Sequence, residues 1–287
     1  MIKKMLTLLN ILVSSSFVKM GGAIKRTSDD CVILGNGPSL NEFLNKNRGF
    51  LIEKDSIAVN FFARTELYRL IKPNHYVIAA PQYWLGDSHS GYESSRRKTL
   101  NAIAEITNWE MTFHVPMIAK SNKRWENPFK KNSYLNIRYF NSTPIDSFGS
   151  FADWCYKMNL GLPRPHNVLI PAIFLAIQAG YKRVYLLGAD HSWLSELYVT
   201  TDNEVLASQK HFYDKKFESD RINNAEPKPL SNMGAKENKG IAEVVEKFRV
   251  TFASHCRLQE YALLKQCKVV NVTENSFIDA YPRKLIR

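Results

Sequence analysis

The sequence predicts an α/β protein with a mostly parallel sheet flanked by helices. Three observations lead there. Past residue 30, apolar runs of strand length alternate with longer segments of helical period. The nearly continuous apolar stretch Asn167 to Tyr181 is too long for a strand, is closed by Gly180, and runs straight into RVYLLG at Arg183 to Gly188. The composition, 45% hydrophobic and 23% charged over 287 residues, is that of a globular chain able to bury a full core.

Taken in order, the chain opens on Lys3 and Lys4, the apolar run Met5 to Val13 and the small residues Ser14 to Ser16. This layout is like a weak signal peptide, but Asn10 interrupts the run, no A-x-A-like site follows, and Lys19, Lys25 and Arg26 return at once. Residues 1–30 instead suit a basic amphipathic segment resting on the inner leaflet, or else a helix packed on the domain or a frayed leader. Residues 31–287 read as one domain with an inserted lid. Its strands are expected at Cys31 to Leu34, Asp55 to Asn60, His75 to Ala80, Met111 to Ile118, Asn136 to Asn141, Arg183 to Gly188 and Lys268 to Thr273. Helical period marks Phe61 to Ile71, Glu93 to Trp109, the buried stretch before RVYLLG, and the long amphipathic Ile241 to Lys265.

Two stretches break the rhythm. Residues 120–135 interleave lysines and Arg124 with Trp125, Phe129 and Tyr134. Residues 190–237 have almost no periodicity, and a loop of that length inside a domain reads as a lid or mobile segment.

Composition also excludes. The chain is not collagen-like, low-complexity or disordered, and it lacks the run of about 18 to 20 apolar residues that each span of a polytopic membrane protein requires. The 39 basic against 27 acidic residues leave a formal charge of +12, which favours anionic partners. Cys31, Cys155, Cys256 and Cys267 are far apart with no C-x-x-C pair, so they read as reduced core residues of a cytoplasmic protein.

The strongest local signal is Gly35-Asn36-Gly37-Pro38-Ser39-Leu40, directly after the first strand. Its glycines permit a tight turn and close approach of the backbone to a ligand, and Ser39 is placed to cap the next helix, so that exposed N–H groups face an anion. Neither the G-x-G-x-x-G nor the G-x-x-x-x-G-K-[ST] pattern is met, and a plain structural turn is the alternative. Ligands of open α/β sheets sit at the carboxyl ends of strands. Asn60 ends the second strand there, as a ligand group or a helix cap. Gly188 closes RVYLLG, and Asp190 and His191 follow it.

Within the lid, Gln209-Lys210-His211-Phe212-Tyr213-Asp214 joins an imidazole to aromatic and cationic neighbours. His211 is the leading general base, because its ordinary pKa near 6.5 suits proton abstraction from a hydroxyl. Arg164 and Asn167 stand just before the buried helix, whose amino terminus favours an anion. Tyr198, Tyr213 and Lys210 are candidate donors to a phosphate when the lid closes. His255 is read as packed or surface-exposed, and His75, His89, His114 and His166 have no catalytic context.

GNGPSL after the first strand, a VN pair ending the second and AIQAGYKRVYLLGAD together resemble the bacterial sialyltransferases that use CMP-activated sialic acid. They also look like the wider group of polysaccharide-biosynthesis proteins related to the 6-hydroxymethylpterin diphosphokinase-like family. The likeness covers roughly residues 31–60 and 160–200. It implies a Rossmann-like glycosyltransferase of surface-polysaccharide assembly, such as lipopolysaccharide or capsule. Its partners would be a CMP-sugar donor, a glycan or glycolipid acceptor and an anionic membrane surface, in the cytoplasm or peripheral on the inner membrane.

The resemblance implies that Asn36, Gly37 and Ser39 contact the nucleotide phosphate and ribose, that Asn60 helps hold cytidine or sugar, and that Asn167 takes a donor-binding position. Of two phosphate-holding lid tyrosines in the family, Tyr198 matches the second while Ser192 stands at the first. No histidine falls at the family's catalytic position, and Ala80 and Pro81 replace a family asparagine. The donor sugar therefore extends from sialic acid to another nonulosonate or Kdo. The scheme requires no cofactor, although Asp190 is placed either to position the acceptor or to hold a divalent ion.

Two rivals come from other chemistry. A diphosphokinase of the hydroxymethylpterin type would need magnesium held across its phosphates. A nucleic-acid-binding module is suggested by the basic charge and by residues 120–139, but no recognised motif accompanies them, so nucleic acid is not an expected partner.

Overall fold

In the computed structural model, the described residues are 2–16, 25–84, 90–121, 123–208, 210–213, 228–229 and 240–286. The chain runs α1 (Ile2–Ser14), β1 (Asp30–Leu34), α2 (Ser39–Asn47), β2 (Asp55–Val59), α3 (Glu66–Ile71), β3 (His75–Val77), α4 (Ser90–Ile106), β4 (Met111–Pro116) and β5 (Leu135–Phe140). It continues through α5 (Gly149–Lys157), α6 (Leu169–Ala179), β6 (Arg183–Leu187), β7 (Leu197–Val199), β8 (Val205–Ala207), β9 (Lys228–Pro229), α7 (Ile241–Leu264) and β10 (Lys268–Asn271).

Seven strands form one sheet in the order β10-β6-β1-β2-β3-β4-β5, and every pairing is parallel. This is the expected Rossmann-like α/β architecture. From β1 the chain steps outward to β5, then returns through α5 and α6 to lay β6 on the other side of β1. The reversal leaves a topological switch point at the carboxyl ends of β1, β2 and β6, where loops diverge and a crevice forms.

Both faces of the sheet are covered, which is why its strands read as continuous apolar runs. In β1, Cys31 and Ile33 face the layer of α5, α6 and α7, meeting Ile173 and Leu258 there. Val32 and Leu34 face the layer of α2, α3 and α4, with Leu40, Tyr68 and Ile103. Each fully buried aliphatic or aromatic side chain contributes about 1.5 to 3 kcal/mol.

The expected strand and helix cores are all present, with ends shifted by one to three residues. The exception is Phe61 to Ile71, which divides into a 3-10 turn at Asn60–Arg64 and the short α3. The buried Tyr76 hydroxyl causes the break by donating to the Asn60 carbonyl at 2.6 Å and accepting from the Ala63 N–H at 2.8 Å. Those backbone groups are thereby withdrawn from a continuous α-helical ladder. Gly180 ends α6 as expected, with φ +82° and its N–H on the Ala176 and Ile177 carbonyls.

The lid region is more ordered at its start than its lack of periodicity suggested. Strands β7, β8 and β9 make a small antiparallel sheet. Leu197 and Val205 pack on Val244 and Phe248 of α7. Residues 209, 214–227 and 230–237 of the expected lid, including Gln209 and Asp214, lie outside the described residues, as does His89. The segment 1–30 forms a helix at α1, and among the described residues no helix is long and apolar enough to cross a membrane.

Candidate functional site

At the switch point the β1–α2 loop lies directly on the end of β6. The Gly35 N–H donates to the Leu187 carbonyl at 2.7 Å, and the Gly37 N–H donates to Gly188 at 2.9 Å. A Cβ on Gly35 would lie 2.8 Å from the Gly188 carbonyl carbon and closer still to its oxygen. Gly188 itself has φ +67°. The glycines are needed here because two backbones touch.

This corrects the expectation that the loop amides stand free for a phosphate. Ser39 is the first residue of α2, and Pro38 at the cap position makes no side-chain cap hydrogen bond of its own. The Ser39 hydroxyl donates to Asp190 Oδ2 at 2.8 Å and its N–H to Oδ1 at 3.2 Å. An anion does occupy the amino terminus of α2, but it is the protein's own carboxylate. Burial raises the Asp190 pKa, opposed by the two Ser39 hydrogen bonds and by the nearby His211 imidazole, which favours the charged carboxylate.

Asn36 is 8% exposed. Its amide donates to the Val59 carbonyl at 3.1 Å, tying the loop to the end of β2, while its Oδ1 is buried with no hydrogen-bond partner. A buried acceptor left unpaired costs about 1 to 3 kcal/mol, a cost that a donor on a ligand would relieve. The Asn36 carbonyl accepts the Phe212 N–H at 3.0 Å, and Asn41 donates to the Phe212 carbonyl at 3.1 Å. The segment around His211 is thus docked on the glycine loop. His211 is half-buried and stacked on Tyr213 at 5.1 Å between ring centroids.

Asn60 sits at the end of β2 with φ +50°, a conformation asparagine tolerates. It is not a helix cap, because Val59 holds that position.

Other expected donors are placed differently. Tyr213 is buried against Phe61, as part of the core and not of a lid surface. Lys210 is paired with Glu196 at 2.7 Å. Tyr198 lies exposed on β7, and among the described residues no hydrogen bond or ring contact joins it to the Gly35–Ser39 loop. Arg164 is held by Asp146 and lines a separate groove between α1 and α7, so it does not serve the amino terminus of α6.

That terminus is served by Asn167. Its Oδ1 accepts the Leu169 and Ile170 N–H groups at 2.9 and 3.2 Å, taking the place expected for an anion. Its amide reaches His191 Nε2 at 3.0 Å, so that nitrogen is the acceptor. His191 is buried at φ +51°, lies 4.2 Å from the Trp193 ring centroid, and has its pKa lowered to about 3 by burial. Behind it come His255 Nε2 at 3.4 Å and, from His255 Nδ1, the Tyr281 hydroxyl at 3.1 Å. His191 is therefore a neutral, enclosed link and not an exposed base.

The structure brings together Asn36, Ser39, Asp190 and His211 from the expected set. It adds the Asn167–His191–His255–Tyr281 chain, which sequence reading missed. A capping signal was present in Asn167, but a link across 24 and then 64 residues has no local signature. Among the described residues no cluster of three or more His, Cys, Asp or Glu side chains is placed to hold a metal ion.

The fold and site define a doubly wound α/β protein with its polar groups gathered at the switch point. No model of a known protein family and no curated protein matches this chain. Among solved structures it is similar to the MAf glycosyltransferase from Magnetospirillum magneticum AMB-1, with a TM-score of 0.48 and 11% identity. That match covers 98% of this chain and 38% of the other, so the chain spans well under half of that protein's length.

Proposed function

We propose that the protein is a glycosyltransferase that moves a sugar from a CMP-activated donor to a glycan hydroxyl. The sugar would be sialic acid, another nonulosonate or Kdo. The observation that carries the reading is the buried, unpartnered Asn36 Oδ1 in the glycine loop at the carboxyl end of β1, the same loop that holds Asp190 through Ser39 and on which the His211 segment docks through Phe212. An imidazole with a carboxylate near it is a suitable general base for a hydroxyl, and a buried acceptor beside it suits a sugar or nucleotide donor group.

In this scheme the acceptor O–H gives its proton to His211 while its oxygen bonds to the anomeric carbon with inversion. The bond from that carbon to the phosphate oxygen breaks, and its electron pair leaves on CMP. Because Asp190 already holds the Ser39 donors, the departing phosphate is assigned to lid groups such as Lys210, whose exposed pairing with Glu196 is cheap to exchange.

The test is thermal stability of the purified protein with CMP, CDP, UDP, GDP, ADP and ATP, each with magnesium and with chelator. CMP should raise the melting temperature in chelator. His211→Ala should lower CMP release from CMP-Kdo or CMP-sialic acid by about a hundredfold or more without changing the melting temperature. Stabilisation by ATP only, and only with magnesium, would replace this reading with the diphosphokinase one.

A further inference from the structure

Helix α1 turns its apolar side outward. Among its described side chains the helix buries Thr7 and Ile11, 1% and 5% exposed, whereas Leu12 and Val13 are 74% and 85% exposed. Met5, Leu9 and Val13 recur at intervals of four and form one exposed ridge, with Leu12 beside it. The helix is not loose at its carboxyl end. Ser15 Oγ lies 2.6 Å from the Leu160 carbonyl, the Ser16 N–H donates to Asn141 Oδ1 at 3.1 Å, and the Asn141 amide donates to the Ser16 carbonyl at 2.7 Å. The same end of the molecule also exposes Phe148, together with Trp154 and Met158 of α5 and the segment after it. Isolated exposed apolar residues are ordinary, but a continuous ridge of this kind marks an interaction surface.

A groove of about 410 Å³ runs along one flank of α1, lined by Leu6, Thr7 and Phe148 on one side and by Arg164, Arg249 and Arg257 on the other. The arginines hold acidic partners in Asp146, Glu246 and Asp153. The Arg249–Glu246 pair is exposed, so its exchange for a phosphate costs little. Arginine's planar fork matches phosphate oxygens.

We propose that this face binds an anionic lipid bilayer, with the Met5–Leu9–Val13 ridge and Trp154 at the level of the acyl chains and lipid phosphates at the groove arginines. An exposed apolar helical ridge flanked by arginines and a tryptophan is the layout of an interfacial helix, and a net charge of +12 favours an anionic surface. A second copy of the chain is the poorer occupant, because a two-fold contact would set the same arginine groove against itself. The proposal stands independently of the transferase reading.

The experiment is flotation of the full chain with vesicles of equal parts phosphatidylglycerol and phosphatidylcholine, and with phosphatidylcholine alone. The wild type should float with the anionic vesicles and be released by high salt. Leu9→Asp with Leu12→Asp should weaken that binding by about tenfold or more, since each change removes a full leucine from the acyl layer. Arg249→Glu should weaken it on the anionic vesicles only. All three substitutions are at exposed positions, so unchanged melting temperatures and unchanged circular dichroism spectra will separate membrane loss from unfolding. Failure of the wild type to float, equal flotation of the leucine variant, or a stable dimer that the leucine variant dissociates without any vesicle binding would each overturn the proposal.

Discussion

Replacing Gly35 with alanine tests whether the glycine loop is there for backbone contact. The added Cβ would fall 2.8 Å from the Gly188 carbonyl carbon and 3.1 Å from the Leu187 oxygen. Both neighbours are backbone, so no side-chain rotation relieves the overlap and the ends of β1 and β6 must separate. Overpacking of this kind costs about 1 to 3 kcal/mol. Separation also weakens the Gly35-to-Leu187 and Gly37-to-Gly188 hydrogen bonds, at about 1 kcal/mol each. The sum is about 3 to 5 kcal/mol, or a fall in melting temperature of roughly 6 °C or more for a chain of this size. Gly49→Ala is the control, since nothing lies within 4 Å of a Cβ there, and it should change stability by about 0.5 kcal/mol or less. Urea unfolding followed by circular dichroism measures both. If Gly35→Ala unfolds at the same urea concentration as the wild type, the close-contact account is wrong.

Three further outcomes follow from the buried ionisable groups. Burial lowers the pKa of His191 to about 3 and of His75 to about 4, and also lowers those of His114 and His255. Their neutral forms are favoured in the fold, so stability is present above the ordinary histidine pKa of about 6.5 and is lost as pH falls below it, by up to about 1.4 kcal/mol per pH unit per group. The urea midpoint should drop between about pH 7.5 and pH 5.5; a flat midpoint would refute this. Asp190 has the opposite sign: its pKa is raised by burial, so its ionisation costs folding energy as pH rises past the ordinary value of 3.8. Asp190→Asn should therefore keep or raise the melting temperature while lowering sugar transfer, whereas a fall beyond about 5 °C would mean that the Ser39 bonds outweigh the burial cost. Of the four cysteines expected in the core, Cys31, Cys155 and Cys267 are buried but Cys256 is exposed on α7, so native protein should release colour from Ellman's reagent rapidly at one thiol and at all four only when unfolded. Rapid reaction at two or more native thiols would contradict the packing.

Apolar periodicity determined the main parallel sheet and most of its helices. The strand cores of that sheet, α6 with its Gly180 terminator and α7 were legible, because burial on both faces of a parallel sheet leaves a composition signal within each segment, whereas α5 and the small sheet of β7, β8 and β9 were not read. The switch-point loops were legible as well, since a Gly-Asn-Gly turn and an Asp-His pair fall directly at strand ends. What each group does there was not. Asp190 and Ser39 are 151 residues apart, and their hydrogen bond exists only because β6 returns to lie beside β1. The same return turns the glycine loop from a free anion cradle into a seam between two backbones. Tyr213 carried no sign that its ring would be buried, and the outward ridge of α1 looks, in sequence, like any amphipathic helix. A side chain's type and spacing are written locally, but its partner is chosen by which strands and helices become neighbours. In this chain, local pattern fixes the layers of the main sheet, and the packing of strands distant in sequence selects which polar groups are already satisfied and which remain for a ligand.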